Sequence, residues 1–317
     1  MKILVNDGIS KVGEEALSKA GFEVITHKVA QEKLIHFINE NLVEVILVRS
    51  ATKVKKDIID SCPSLKIIGR GGVGMDNIDV EYAINKGLKV INTPAASSKS
   101  VAELTFAHMF SMVRFLHNSN RNMPLEGESQ FKALKKQYSE GKELAGKTLG
   151  VIGFGRIAIE TIKIAIGIGM KVVVADIEKI TRDLTLDFFD GQTVTFKITS
   201  VPLDEMLPQA DLITLHVPFQ GEPILGKTQF NKMRKGVGVI NTARGGVVDE
   251  NALLEAIEEE KVQYAALDVF ANEPSPEVRL LMTPELSLSP HVGGSTIEAQ
   301  NRIGLELADQ IKEIYNI

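Results

Sequence analysis

Apolar residues in the first hundred positions fall in short unbroken runs: KILVN, FEVIT, EVILV, LKIIG and KVINT. Unbroken runs, as opposed to alternating ones, predict strands buried on both faces, the habit of parallel sheets covered by helices. Between them VGEEALSKA, QEKLIHFINE, KKDIIDSC and VEYAINKG carry apolar residues at helical spacing. Five such β–α steps predict one open sheet. A second series begins at KTLGVIGFG, with strands at TLGVIG, KVVVAD, DLITLHV, GVGVIN, QYAALDV and LSLSPH. The expected fold class is α/β, with two doubly wound parallel-sheet domains.

The two series are joined by a different kind of segment. Ser100-Val101-Ala102-Glu103 spells a capping box. It predicts a helix over VAELTFAHMFSMVRFLHN, apolar nearly all the way round until about Asn118. Such a helix is buried on several sides, at a domain junction or a subunit interface. Residues 118–143, rich in Lys, Glu and Gln, lack strong periodicity and read as a mobile excursion. Lys132, Lys135 and Lys136 within it read as a solvated face. The last segment is amphipathic, with Ile303, Leu307, Ile311 and Ile314 on one stripe and no strand after it. It is expected to pack back on the first domain. The division that follows is 1–98 plus 292–317, and 99–291.

Composition narrows the chemistry. A chain of 317 residues exceeds the usual single core, which agrees with two domains. The net charge of -5 and the lack of a long basic run argue against nucleic acid or an anionic membrane as partner. Cys62 is the only cysteine, so neither an internal disulfide nor a cysteine-built metal cage is possible, and no metal site is expected. MKILVND reads as a first strand, and no apolar stretch has the roughly 18–20 residues of a membrane span. The expected setting is cytoplasmic.

Gly153-Phe154-Gly155-Arg156-Ile157-Ala158 follows an apolar strand and opens a helical pattern. That is the dinucleotide fingerprint in its required context. The first glycine allows the tight turn, the second lets a pyrophosphate approach the backbone, and Ala158 permits close helix–strand packing. KVVVAD then ends in Asp176, placed to accept from ribose hydroxyls and to repel a 2′-phosphate, so the expected cofactor is NAD.

Three charged residues stand at later strand ends: Arg244 in NTARGG, Glu273 in DVFANEP and His291 in LSPHVGG. Arg244 can clamp a carboxylate bidentately, and flanking Gly245 and Gly246 would bring backbone close to a ligand. Glu273 beside His291 would fix the imidazole tautomer and raise its pKa, giving a general acid for carbonyl reduction and a base in reverse. Asp268 either faces the nicotinamide amide or caps a turn. His216 in TLHVP ends a strand and lines a cofactor cleft. His27, His36 and His117 read as solvated, and His108 as packed core.

These motifs resemble the D-isomer-specific 2-hydroxyacid dehydrogenase family over essentially the whole chain. The segments that carry the likeness are GRGGVGMDNID at 69–79, SVAEL at 100–104, LAGKTLGVIGFGRI at 144–157, LHVP, GVGVINTARGGVVDE, AALDVFANEP and SPHVGGST. VRSATKV at 48–54 and GRGGVG are most similar to the branch that oxidises 3-phospho-D-glycerate. The resemblance implies a flavodoxin-like substrate domain and a Rossmann-type NAD-binding domain with the active site between them. It implies Arg244 on the substrate carboxylate and 2-oxygen, His291 in proton transfer and Glu273 orienting it. It places Arg49 and Arg70 at a substrate phosphate and the Gly72-Val73-Gly74 turn at the carboxylate. NAD contacts are implied for Val73, Arg156, Ile157, Asp176, Val217, Pro218, Thr242, Ala243, Arg244, Asp268, His291, Gly293 and Gly294. It also implies a homodimer through the NAD-binding domain. Ser97 departs from the family, which commonly has Asn there, so a substrate contact is expected to be lost or shifted. The chain ends at Ile317, so feedback inhibition through an appended regulatory domain is not expected. The alternatives are another D-2-hydroxyacid dehydrogenase, a glyoxylate or hydroxypyruvate reductase, or an NAD(H)-sensing interaction protein on the same fold.

Overall fold

The computed structural model describes all 317 residues. The chain divides into two compact units, Met1–Ser100 with Gly294–Ile317, and Val101–Gly293.

The first unit runs β1 (Lys2–Val5), α1 (Lys11–Lys19), β2 (Glu23–Ile25), α2 (Leu34–Asn41), β3 (Val45–Val48), α3 (Lys56–Ser61), β4 (Ile67–Arg70), α4 (Val80–Asn85) and β5 (Lys89–Asn92). Its sheet has the order β2-β1-β3-β4-β5, every pair parallel. Alternate residues of one strand serve opposite faces, which explains the unbroken apolar runs. Leu4, Ile46, Val48 and Ile68 join one core. Ile3, Val5, Val45, Leu47 and Ile67 join the other, together with Ile303, Leu307 and Ile311 of the C-terminal helix Ile297–Tyr315. Fully burying each such side chain is worth about 1.5–3 kcal/mol, so the apolar stripe holds this helix in place.

The second unit runs α5 (Ser98–Val113), α6 (Leu116–Gln137), β6 (Thr148–Ile152), α7 (Arg156–Gly167), β7 (Lys171–Ala175), β8 (Thr181–Asp187), β9 (Thr193–Thr199), α8 (Leu203–Met206), β10 (Leu212–Leu215), α9 (Lys227–Lys232), β11 (Val237–Asn241), α10 (Glu250–Glu258), β12 (Val262–Leu267), α11 (Val278–Met282) and β13 (Leu286–Leu288). Six parallel strands take the order β13-β12-β11-β10-β6-β7. The sheet again splits two cores, with Val239 and Leu267 on one face and Ile240 and Ala266 on the other.

Two local expectations are corrected. Residues 116–137 are helical and not a mobile excursion; Pro124 lies inside and Gln130 leaves helical geometry, and only Leu134 is buried, so no apolar stripe existed to be read. The helix before it begins at Ser98, which puts Ser100 inside its first turn and not at the cap, and ends at Val113 because Phe115 takes a left-handed φ of 55°. Between β7 and β10, where the sequence reading assigned no element, lies an antiparallel hairpin, β8 with β9. Its Thr-rich alternation around Asp190-Gly191 is a period-two signal.

Candidate active site

Functional side chains of an open parallel sheet belong at the carboxyl ends of its strands, where neighbouring connections diverge. In the second unit β6 lies between β10 and β7, which makes the β6/β10 border that divergence point. Gly153 follows β6 with φ 93°. A Cβ there would sit 2.7 Å from the His216 carbonyl oxygen, so the turn admits glycine only. Gly155 caps α7 in extended geometry, and no heavy atom lies within 4 Å of where its Cβ would be. Open space thus faces the free amides of a helix that starts at Arg156 and Ile157, a cradle suited to a pyrophosphate. Ala158 is fully buried beneath it.

Asp176 follows β7 and is fixed over this turn. Its Oδ2 accepts from the Phe154 amide and its Oδ1 from the Ile177 amide, each at 2.8 Å. A carboxylate held there suits a ribose diol and repels a 2′-phosphate. His216 directly follows β10, beside the Gly153 turn. Its Nε2 lies 3.1 Å from Thr161 Oγ1 of α7, and burial pulls the imidazole down to about 3, so it is neutral. What it presents to the glycine turn is its carbonyl. Val217 and Pro218 continue that strand end.

The other three charged candidates stand after the ends of the remaining three strands. Arg244 follows β11, and its turn is built by Asn241, which is 2% exposed. The Asn241 amide donates to the Arg244 carbonyl at 2.9 Å, and its Oδ1 accepts from the Ala243 amide at 3.0 Å. Arg244 Nη1 donates to the Ala243 carbonyl at 2.7 Å, and Thr242 Oγ1 lies 2.9 Å from Thr105 Oγ1 of α5. Gly245 is glycine because another backbone passes there: a Cβ would sit 1.9 Å from the Phe270 carbonyl oxygen. The glycine therefore joins two loops, in place of the ligand approach read from the sequence.

Glu273 lies on the loop that Gly245 touches. Its Oε1 accepts from the Phe270 amide at 2.9 Å and its Oε2 meets His291 Nδ1 at 2.8 Å. With a carboxylate on Nδ1, that nitrogen carries a proton and Nε2 is the nitrogen open to a ligand. His291 itself adopts φ 54°, a conformation that costs a non-glycine residue energy and persists only when its surroundings impose it. Asp268, at the end of β12 and 1% exposed, supplies the constraint: it accepts from the Val292 amide at 2.8 Å and the Gly293 amide at 2.9 Å. Of its two sequence readings, the structure shows the cap.

In the first unit the order β2-β1-β3 puts the divergence point between β1 and β3. Arg49 directly follows β3 and Arg70 ends β4. Asn77 binds both: its Nδ2 donates to the Arg49 carbonyl at 2.7 Å and its Oδ1 accepts from Arg70 Nε at 3.0 Å. Asp7 receives the Arg49 amide at 2.7 Å and Thr52 Oγ1 at 2.7 Å. Burial pulls the Arg49 guanidinium below the usual arginine range, with Asp7 opposing the shift. The Gly72 amide donates to the Arg70 carbonyl at 3.0 Å, so Val73 and Gly74 are the amides this turn can offer to an anion. Gly294 lies in this unit too, 3.5 Å from the Ser97 Cβ if it carried a Cβ of its own.

Residues 106–293 match the family model described as D-isomer specific 2-hydroxyacid dehydrogenase, NAD binding domain. The chain belongs to the D-isomer specific 2-hydroxyacid dehydrogenase family. A hydroxypyruvate reductase of Thermotoga maritima is 42% identical to it over 316 residues, covering 98% of this chain and 97% of the relative. A D-3-phosphoglycerate dehydrogenase of Methanocaldococcus jannaschii is 39% identical over 319 residues. The match takes in 99% of this chain but 57% of that relative, little more than half its length. The solved glyoxylate reductase of Paecilomyes thermophila superposes with a TM-score of 0.83 at 28% identity, over 99% of this chain and 94% of that one.

This 2-hydroxyacid dehydrogenase is an NAD-dependent enzyme, and its NAD-binding domain falls in the second unit. No helix in it is long and apolar enough to cross a membrane. In this dehydrogenase, Asp176→Ala should raise the KM for NAD about tenfold, the scale of a hydrogen bond to a charged group, and narrow the preference for NAD over NADP. Steady-state titration with both cofactors checks this, and an unchanged preference would remove Asp176 from cofactor selection. Of the remaining histidines, His36 is exposed. His117, read as solvated, is half-buried with Nε2 3.2 Å from the Pro284 carbonyl, and burial lowers its pKa. Cys62 is buried, which pushes its thiol up to about 11. Lys132, Lys135 and Lys136 are exposed on α6.

The sequence reading missed Asn241 and Ser289. Each is a small polar residue in or directly after an otherwise apolar buried strand, and that is the signal by which they stand out.

Proposed function

We propose that this dehydrogenase oxidises 3-phospho-D-glycerate to 3-phosphohydroxypyruvate, the step that opens serine biosynthesis, and does so in the cytoplasm. The observation that carries the substrate is the Asn77-linked pair Arg49 and Arg70 at adjoining strand ends of the first unit. Asn77 fixes the Arg49 backbone and the Arg70 guanidinium, and two arginines at adjoining strand ends suit a phosphate, which takes bidentate charge-assisted hydrogen bonds. Arg244 takes the carboxylate and the 2-oxygen, and the Val73 and Gly74 amides add donors to the carboxylate. NAD, held when bound at the Gly153–Gly155 turn and Asp176, would supply the hydride acceptor for C2. The proton of the 2-hydroxyl goes to His291 Nε2, while Glu273 holds the proton on Nδ1 and stabilises the imidazolium that forms. Gly293, at the Asp268 cap, and the 242–244 turn border the cofactor.

Turnover of phosphorylated and unphosphorylated 2-hydroxy and 2-oxo acids, measured side by side, tests the proposal. 3-Phosphoglycerate with NAD, or 3-phosphohydroxypyruvate with NADH, should be preferred. Arg49→Ala should raise KM about tenfold or more for the phosphorylated acid alone, the loss of a charged hydrogen bond. A second reading, reduction of hydroxypyruvate or glyoxylate, is favoured by the 42% identity to a hydroxypyruvate reductase across nearly the full length of both chains. Higher kcat/KM for those unphosphorylated acids, with no selective effect of Arg49→Ala, decides for it. The active form is proposed to be a homodimer through the second unit, where Phe110 and Leu116 are 45% and 59% exposed. A monomer by light scattering would dismiss that.

A further inference from the structure

His108 lies on α5 among apolar neighbours and is 6% exposed, yet both of its ring nitrogens are engaged. Nδ1 lies 2.9 Å from Ser287 Oγ and Nε2 lies 2.8 Å from Ser289 Oγ. Ser289 Oγ in turn donates to Asp268 Oδ1 at 2.5 Å. The same Asp268 carboxylate receives the Val292 and Gly293 amides, the two that follow His291.

The direction of every bond in this chain follows from two constraints. Asp268 is the acceptor for two backbone amides, so Ser289 uses its single proton on Asp268. Ser289 must then accept from His108, which places the His108 proton on Nε2. Burial lowers the His108 pKa, so the ring is neutral and Nδ1 is an acceptor that takes the Ser287 proton. Hydrogen bonds aligned in one sense polarise one another, and a network with every member satisfied is rigid. At its far end the network grips residues 292 and 293 directly after His291, whose φ of 54° has to be imposed. His291 Nε2 transfers a proton only when it stays within about 3 Å of the 2-oxygen. A loop relaxed by one ångström costs that geometry.

We propose that His108 is a positioning residue for proton transfer, acting through Ser289 and Asp268 to hold the His291 loop in its productive conformation. This rests on the assignment of His291 as the proton carrier. A structural histidine would affect folding; a positioning histidine affects turnover with binding intact. The effect also depends on a donor reaching Ser289, which Gln can supply and Leu cannot.

The test uses full-length His108→Leu, His108→Gln, Ser289→Ala and His291→Ala. Turnover is measured with NADH and both hydroxypyruvate and 3-phosphohydroxypyruvate, and NADH affinity by fluorescence. His108→Leu should lower kcat about tenfold on the better substrate, a modest share of the roughly 100-fold that a 1 Å misplacement can cost. Substrate KM and NADH affinity should stay within about twofold, and His108→Gln should recover most of the rate. If His108→Leu fails to fold, Ser289→Ala interrupts the same chain and should show the same kcat loss. Wild-type kcat in His108→Leu or Ser289→Ala, or a loss that Gln does not relieve, overturns the proposal. A dead His291→Ala beside a fully active His108→Leu ends this inference alone, while an active His291→Ala removes both it and the proton-transfer assignment.

Discussion

His291→Ala is expected to lower kcat by at least about 100-fold and up to about 10⁴-fold, the range of a positioned acid–base group. NADH affinity should change little, because the side chain removed is the one on Glu273 and not a pyrophosphate or ribose contact. The structure supports a loss at the upper end of that range. Glu273 has one oxygen fixed by the Phe270 amide and the other on His291 Nδ1, so its carboxylate is aimed before substrate arrives. Once the imidazole is gone, no other titratable side chain has been placed by the Asp268 cap to take the proton. The measurement is kcat for both directions beside a fluorescence titration of NADH. A rate within tenfold of wild type would dismiss His291 as the proton carrier. Arg244→Ala provides the contrast, since losing the proposed carboxylate clamp should damage KM and kcat together.

Gly245→Ala should be the most damaging methyl group that can be added to this protein. Its Cβ would lie 1.9 Å from the Phe270 carbonyl oxygen, 2.3 Å from the Phe270 carbonyl carbon and 2.8 Å from the Ala271 amide nitrogen. All three are backbone atoms, so no side-chain rotation relieves the clash. One of the two loops must move. One carries Arg244; the other carries Glu273, which sets His291. Overpacking costs about 1–3 kcal/mol where side chains can adjust, and here the figure should reach about 3 kcal/mol or more. Loss of melting temperature and loss of kcat should therefore appear together. Gly246→Ala meets a Phe219 ring instead, but its φ of 83° strains any other residue, so a folded and active Gly245→Ala is the sharper contradiction. That result would mean the two loops are not in contact.

Much of this was legible in the residues alone. The unbroken apolar runs specify parallel strands because both faces of each must be covered, and the dinucleotide turn is legible because only glycine fits its backbone. Arg244, Glu273 and His291 stand out for a related reason: Gly, Pro and Asn around them mark strand ends, and strand ends are where a parallel sheet exposes chemistry. The 116–137 helix escaped because it buries one leucine, and a helix with no apolar stripe leaves no period to read.

Sequence by itself determined the fold class, the glycine turn with the carboxylate that stands over it, and the types of charged group at the later strand ends. These depend on local backbone demands and on period, both written within a few residues of one another. The tertiary structure alone decided which side chains support them. His108 looked like core because its helix neighbours are apolar, while its partners Ser287 and Ser289 lie 179 and 181 positions away. Gly245 looked like space for a ligand, and the space is filled by the backbone of residues 270 and 271. A hydrogen bond or a close contact depends on distance in space, and spacing along the chain carries no record of a partner that the sheet brings in from a different strand.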